Sequence, residues 1–173
     1  MSAALPQTDS HCGVQQAAYI LSAGSAPEAD THQASALCVV PADVALAFLS
    51  DGLALGRWAL GAWNTEAAGG GVFRGRSLFD DCVAYVMPVA DPAQAWVDFH
   101  VGATPERLAP RIRAVVAPVG PANAAKPVSC LVTLIAWRDA SMDDARWLRL
   151  VRCHDTEILL IQALLARRSQ HRA

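Results

Sequence analysis

The sequence predicts an α+β domain in which an antiparallel, curved sheet of about six to seven strands wraps on one long C-terminal helix. Three observations predict it. First, an apolar stripe runs along residues 143 to about 167. At about 100° per residue, Trp147, Leu150, Val151, Ile158, Ile161 and Leu165 lie within roughly 50° of one line. Second, the preceding segments have strand length and are joined by short turns, which implies antiparallel pairing. Third, within residues 34–168 the other helical signals are two short segments directly after the first strand. A sheet with one apolar face needs a cover, and the long helix is the available one.

The elements follow in order. Residues 36–40 form a short apolar run that reads as the first strand. Pro41 breaks it and suits the first turn of a helix. Val44, Phe48 and Leu49 give that helix an apolar side, and Asp51-Gly52 reads as its stop. Residues 53–60 read as a second short helix carrying Trp58, closed by Gly61. The period then changes. Strands at 62–66 and 72–79 flank Ala67-Ala68-Gly69-Gly70-Gly71, a hairpin connection. Asp80-Asp81 leads into a strand at 82–89, and Ala90-Asp91-Pro92 turns the chain into 95–101. There Ala95, Val97, Phe99 and Val101 alternate with Trp96, Asp98 and His100, the mark of a strand with one face toward a core. A strand is expected at 111–117 and a proline-rich loop at 118–127. Residues 128–137 are apolar on both faces and are expected to be central. Ser141, with Asp144 three residues on, reads as a capping-box start for the last helix.

Composition bounds the function. The chain has 173 residues, 53% hydrophobic and 17% charged, which suits one domain with a sizeable core. We divide it into a loosely ordered leader (1–33), a folded domain (34–168) and a basic tail (169–173). Within the leader, residues 15–21 have the character of an extra strand or short helix. Net charge is −2. The only basic cluster is Arg167, Arg168, His171 and Arg172, a solvated tail and not the basic stripe of a nucleic-acid surface. No run of about 18 apolar residues predicts a membrane span, and residues 1–13 do not read as a signal peptide. The five cysteines (Cys12, Cys38, Cys82, Cys130, Cys153) include no CxxC. They read as small buried thiols of a reducing, cytoplasmic compartment, without a disulfide or zinc site. No cofactor or metal is expected: the Gly69–Gly71 run lacks the strand-to-helix setting of a phosphate loop, and no His, Asp or Glu pair has ligand spacing.

The stretches CVVPADVALAFLSDGLALGRWALG, GVFRGRSLFDD, AWVDFHVG, CLVTLIAW and DDARWLRLVRCHDTEILLIQALL together resemble the START-like superfamily, also called SRPBCC or helix-grip, with its polyketide cyclase/dehydrase-like members. The resemblance covers roughly residues 35 to 166. It implies a mostly apolar cavity between sheet and long helix, suited to a small hydrophobic molecule or lipid. It supplies no universal catalytic residue, and the superfamily holds binders and enzymes alike.

On this reading His154, polar in the middle of the stripe, is the foremost candidate, either as a ligand anchor or as a catalytic acid/base. Trp58, Tyr85, Phe99, Trp147, Val151 and Ile158 complete the expected ligand-binding set. Glu157 lies near the stripe's edge and reads more readily as a solvated or surface-paired group, with Arg146 or Arg149. Cys153 points about 100° away from His154, which argues against a nucleophile–base pair. Asp98 and His100 face outward with Trp96 if Val97, Phe99 and Val101 face the core. A one-residue shift would make them a cavity acid–base pair. Trp63, Trp96 and Trp137 read as packing residues, and Arg74 and Arg76 as a solvated face. Leu148, Leu159 and Leu160 lie off the stripe and meet either the short helices or a second copy in a homodimer. Three functions stay open: hydrophobic-ligand binding, a cyclase or dehydratase using His154, and a protein-interaction module without ligand.

Overall fold

The computed structural model describes residues 30–120 and 128–170. The expectations for residues 1–29, for 121–127 and for the end of the basic tail, with His171 and Arg172, lie outside them. Ten elements follow in chain order: β1 (Thr31–Cys38), α1 (Ala42–Ser50), α2 (Gly52–Leu55), β2 (Trp63–Gly69), β3 (Val72–Arg76), β4 (Val83–Asp91), β5 (Trp96–Gly102), β6 (Ala109–Val119), β7 (Ser129–Trp137) and α3 (Asp144–Gln170). The strands form one antiparallel curved sheet in the order β1-β7-β6-β5-β4-β3-β2. α3 lies against β1 and β7, α1 against β4 to β7, and α2 against β2 to β4. The three helices share the concave face, as the α+β helix-grip prediction requires.

Register settles which residues meet the helices. Val97, Phe99, Ala114, Val116, Val132, Leu134, Ala34, Ala36 and Val86 are buried on the concave face. Trp96, Asp98 and His100 take the convex face, so the outward reading of Asp98 and His100 holds. β7 alternates buried and more exposed positions and is not the middle strand. It lies between β1 and β6, one place from the edge, and Leu131 and Trp137 are on its solvent side.

Several boundaries differ from expectation for local reasons. β1 begins at Thr31, since Ala34, Ala36 and Cys38 extend one buried period-2 row that includes His32. β5 begins at Trp96, because Ala95 has φ +54 and cannot continue a strand. Gly70 and Gly71 both have positive φ between the paired Gly69 and Val72, as a two-residue hairpin loop of this hand demands. α2 is a single turn, and its start replaces the expected glycine stop. Asp51 caps it through Leu53 N at 2.9 Å, and Gly52 is helical. A Cβ at Gly52 would fall inside the Phe73 ring, so the glycine is required for close packing on β3. The cap of α3 is Asp143, whose Oδ1 accepts from Arg146 N at 2.7 Å. Ser141 sits in the preceding turn, where its N–H donates to Asp139 Oδ1.

Cys38, Cys130 and Cys153 are free, but Cys82 is disulfide-bonded, which corrects the all-thiol expectation at that position. Among the described residues no helix is long and apolar enough to cross a membrane.

Candidate functional site

The apolar interior has two parts. The larger cluster joins the sheet centre to Phe48, Leu49, Leu55 and Trp58 and to Ile158, Ile161 and Leu165 of α3. A smaller one joins Trp147, Met142 and Ala136, with Ile112, Leu150 and Val151 against it. His154 stands on α3 between them, 2% exposed. The stripe therefore carries its polar residue at the seam of two apolar cores.

One row across the concave face underlies this seam. His32, Ala136, Ile112, Phe99 and Pro88 are successive register partners across β1, β7, β6, β5 and β4. The His154 ring stands over the His32 end, with centroids 6.2 Å apart. Trp58 stands edge-on to Phe99, centroids 5.6 Å apart and planes at 77°. Three strand spacings separate the two ends, roughly 14 Å. Between them Ile112 is only partly buried although it faces the helices. So are its neighbour on the same face, Val101, and Val151 on the inward stripe of α3. Val101 and Ile112 also pack against the main core, and Ile112 and Val151 against the smaller one.

Glu157 is one turn beyond His154, on the same side of the helix. It is 5% exposed, so the solvated reading is corrected. Its partners are backbone groups, not Arg146 or Arg149. Leu60 N donates to Oε1 at 2.7 Å, and the Gly61 backbone adds a second bond. The turn after α2 thus reaches α3 through this carboxyl. Its second oxygen is 3.8 Å from His154 Nε2. Burial pushes the Glu157 carboxyl up to about 7, against the opposing pull of the Leu60 and Gly61 bonds. Burial pushes His154 down to about 4. Neighbouring His32 adds to this, and Asp155 opposes it. His32 itself bonds Asp155 Oδ1 at 3.0 Å where β1 meets α3.

Among the described residues, two buried polar side-chain atoms have no hydrogen-bond partner: Trp58 Nε1 and His154 Nδ1. Such groups cost about 1–3 kcal/mol each when left unpaired, so native interiors hold few.

The expected site residues sort as follows. His154, Trp58, Phe99, Trp147 and Ile158 are buried on the concave side, and Val151 is partly buried beside them. Tyr85 is not among them. It is the register partner of Arg74, one residue from the inward Val86, and so faces the convex side. Asp98 is also convex, bonded through both carboxylate oxygens to Arg113 at 2.6 and 2.7 Å. Of the off-stripe leucines, Leu160 packs on the main core and Leu159 is 60% exposed. His32 was missed because its strand was drawn too short. The period-2 row down to Cys38 was the signal. Among the described residues no cluster of three His, Cys, Asp or Glu could hold a metal.

No protein-family model matches the chain. No curated protein matches it either. Solved structures do. The aromatase/cyclase Zhui from Streptomyces sp. R1128 superposes with a TM-score of 0.55 at 16% identity, over 80% of this chain and 94% of that one. A START superfamily protein from Mycobacterium smegmatis gives 0.55 at 11% identity, over 83% and 99%. This chain has the START-like, helix-grip fold. The di-domain aromatase/cyclase BexL of the BE-7585A biosynthetic pathway matches at 0.56 and 17% identity, over 77% of this chain. There the START-like match spans 45% of the longer protein. At these identities the likeness carries the fold alone.

Proposed function

We propose that this chain binds a small hydrophobic molecule between α3 and the concave face, and holds polar groups of the molecule against His154 at one end or Trp58 at the other. The observation that carries the reading is the pair of unpartnered buried atoms, His154 Nδ1 and Trp58 Nε1, beside partly exposed apolar side chains. A ligand would cover Ile112, Val101 and Val151 and supply the missing partners. Apolar contact contributes about 25 cal/mol per Å² before association costs. The START-like fold of the neighbouring structures supports it. Native mass spectrometry of freshly purified protein tests it: a co-purified organic molecule is expected. If none is found, a thermal-shift screen of hydrophobic compounds follows. Failure of every compound to raise the melting temperature overturns the reading.

A second reading, proton transfer on a bound carbonyl compound, is favoured by one observation. Glu157 lies 3.8 Å from His154 and has a carboxyl pushed to about 7, so it can take and return a proton near neutrality. Its carboxylate would remove a proton next to the carbonyl, and a hydrogen bond from neutral His154 would steady the enolate oxygen. Exchange of those protons in deuterated water, followed by NMR on a bound diketone, is expected to exceed the buffer rate. It should fall to that rate in Glu157→Gln. Equal rates in all three overturn it.

A further inference from the structure

β1 is an edge strand, and it carries part of what holds α3. Gln162 Nε2 donates to Leu37 O at 2.7 Å, and His32 bonds Asp155. At the far end of β1 two of the free thiols stand opposite each other. Cys38 and Cys130 are direct register partners, the last pair of the β1–β7 ladder, and both are buried on the concave face. The hydrogen-bonding phase of that ladder is fixed at its two ends. Arg138 N donates to Asp30 O at 2.8 Å, whereas the Leu37 carbonyl points off the edge to Gln162. The even-numbered residues from Asp30 to Cys38 therefore belong to the hydrogen-bonded pairs, whose Cα atoms lie about 5.5 Å apart. A disulfide spans about 4.4–6.8 Å between Cα atoms, so the pair has the right separation. Cys38 Sγ lies 3.9 Å from Ala36 O along its own strand, so closure takes a rotation about χ1.

We propose that Cys38 and Cys130 form an oxidation site, at which hydrogen peroxide joins them into a cross-strand disulfide that latches β1 to β7. One thiol takes an oxygen from the peroxide and becomes a sulfenic acid, and water leaves. The second thiol attacks that sulfur, the S–S bond forms, and a second water leaves. The latch is slow in both directions. Burial, and after it the neighbouring Cys130, push the Cys38 thiol up to about 11, and burial raises Cys130 as well. Little thiolate is present to attack the peroxide. Reaction waits on fraying at this end of the ladder, where Val39 and Val128 are exposed. The same high-pKa thiols are poor leaving groups, so the bond, once made, is slow to reduce. It closes everything from α1 to β6 into one long loop, where a crosslink restricts the unfolded chain strongly.

The test treats the full chain, as purified, with hydrogen peroxide and maps its peptides by mass without reduction. A peptide pair linked through Cys38 and Cys130 is expected. The melting temperature should rise by about 5 °C or more, and amide exchange over 31–38 should slow at least about tenfold. Cys38→Ala should abolish the link and both shifts, and Cys130→Ala serves in its place should the first variant fail to fold. Linkage of either cysteine to any other one overturns the proposal. So does sulfinic or sulfonic acid in place of the bond, or a pair that oxidises only in urea. A linked pair that leaves melting and exchange unchanged overturns the latch.

Discussion

Asp98–Arg113 on the convex face and His154–Glu157 on the concave face pair the same kinds of group, an acid and a nitrogen base. Their surroundings separate them. Asp98 and Arg113 lie opposite each other on β5 and β6 with two matched bonds, and the guanidinium stacks 4.2 Å over Trp96. Both carboxylate oxygens have a donor and solvent is near. His154 and Glu157 are buried among apolar side chains, 3.8 Å apart, with one imidazole nitrogen unpartnered. The first arrangement is complete as it stands. The second lacks partners it has geometry to accept. Residue type alone does not mark a site; a buried group short of its bonds does.

The largest contrast should appear in packing. Phe99→Ala, on the concave row, is expected to cost about 3–5 kcal/mol in urea unfolding. Trp96→Ala, three residues away on the convex face, should cost about 1 kcal/mol, mostly its stacking with Arg113. Equal losses would show that the two faces are not distinct in burial.

The pH dependence of stability should come next, and with opposite signs for the two site residues. Glu157 has its folded pKa raised from 4.5 to about 7, so folding favours its protonated form and the stabilisation is lost as pH rises through that window. Replacing it by Gln should make the protein more stable than wild type above about pH 7, by up to about 3 kcal/mol, and leave it little changed near pH 4.5. His154 has its folded pKa lowered from 6.5 to about 4, so wild-type stability falls as pH drops through that window. His154→Gln should gain up to about 3 kcal/mol near pH 4 and little above about pH 6.5. In the wild type the two effects oppose each other between about pH 4.5 and 6.5 and flatten the profile. Urea titrations of the three proteins at five pH values check this. A parallel response of the two variants would break the account.

Smaller effects should come from the complete pair. A double-mutant cycle on Asp98 and Arg113 is expected to return about 0.5–1 kcal/mol, reduced by salt. Smallest, and outside both regions, Ala95→Gly in the β4–β5 turn should raise stability by up to about 1 kcal/mol. It relieves the left-handed φ of +54 at Ala95, and the thermal midpoint reads it.

Most of the fold was legible in the chain, because it rests on periodicity. The stripe from Trp147 to Leu165 and the alternation from Trp96 to Val101 assigned faces correctly. Boundaries were less so where a single residue overrides the pattern, as at Ala95 and Gly52. The site was legible in part. His154, Trp58 and Phe99 stand where the periodicity places them. Glu157 was not, because its burial depends on two amides of a turn 97 residues away, Leu60 first, which no local pattern announces. Tyr85 was misplaced because 83–90 has apolar or small residues on both faces, so period alone does not choose the inward one.

The division of the interior at His154 also bears on motion. Beyond the seam, α3 is rooted in the main core through Ile158, Ile161 and Leu165, and Gln162 ties it to the Leu37 carbonyl at 2.7 Å. Before the seam, it rests on the small cluster around Trp147 and on surface contacts such as Arg138 with Asp144. The two halves are unequal foldons: amides of the first two turns should exchange hydrogen faster than those past Glu157, through a local opening that leaves the sheet intact. A molecule held against His154 would then come and go by fraying of the helix start, with a residence time set by the cohesion of Trp147, Met142 and Ala136.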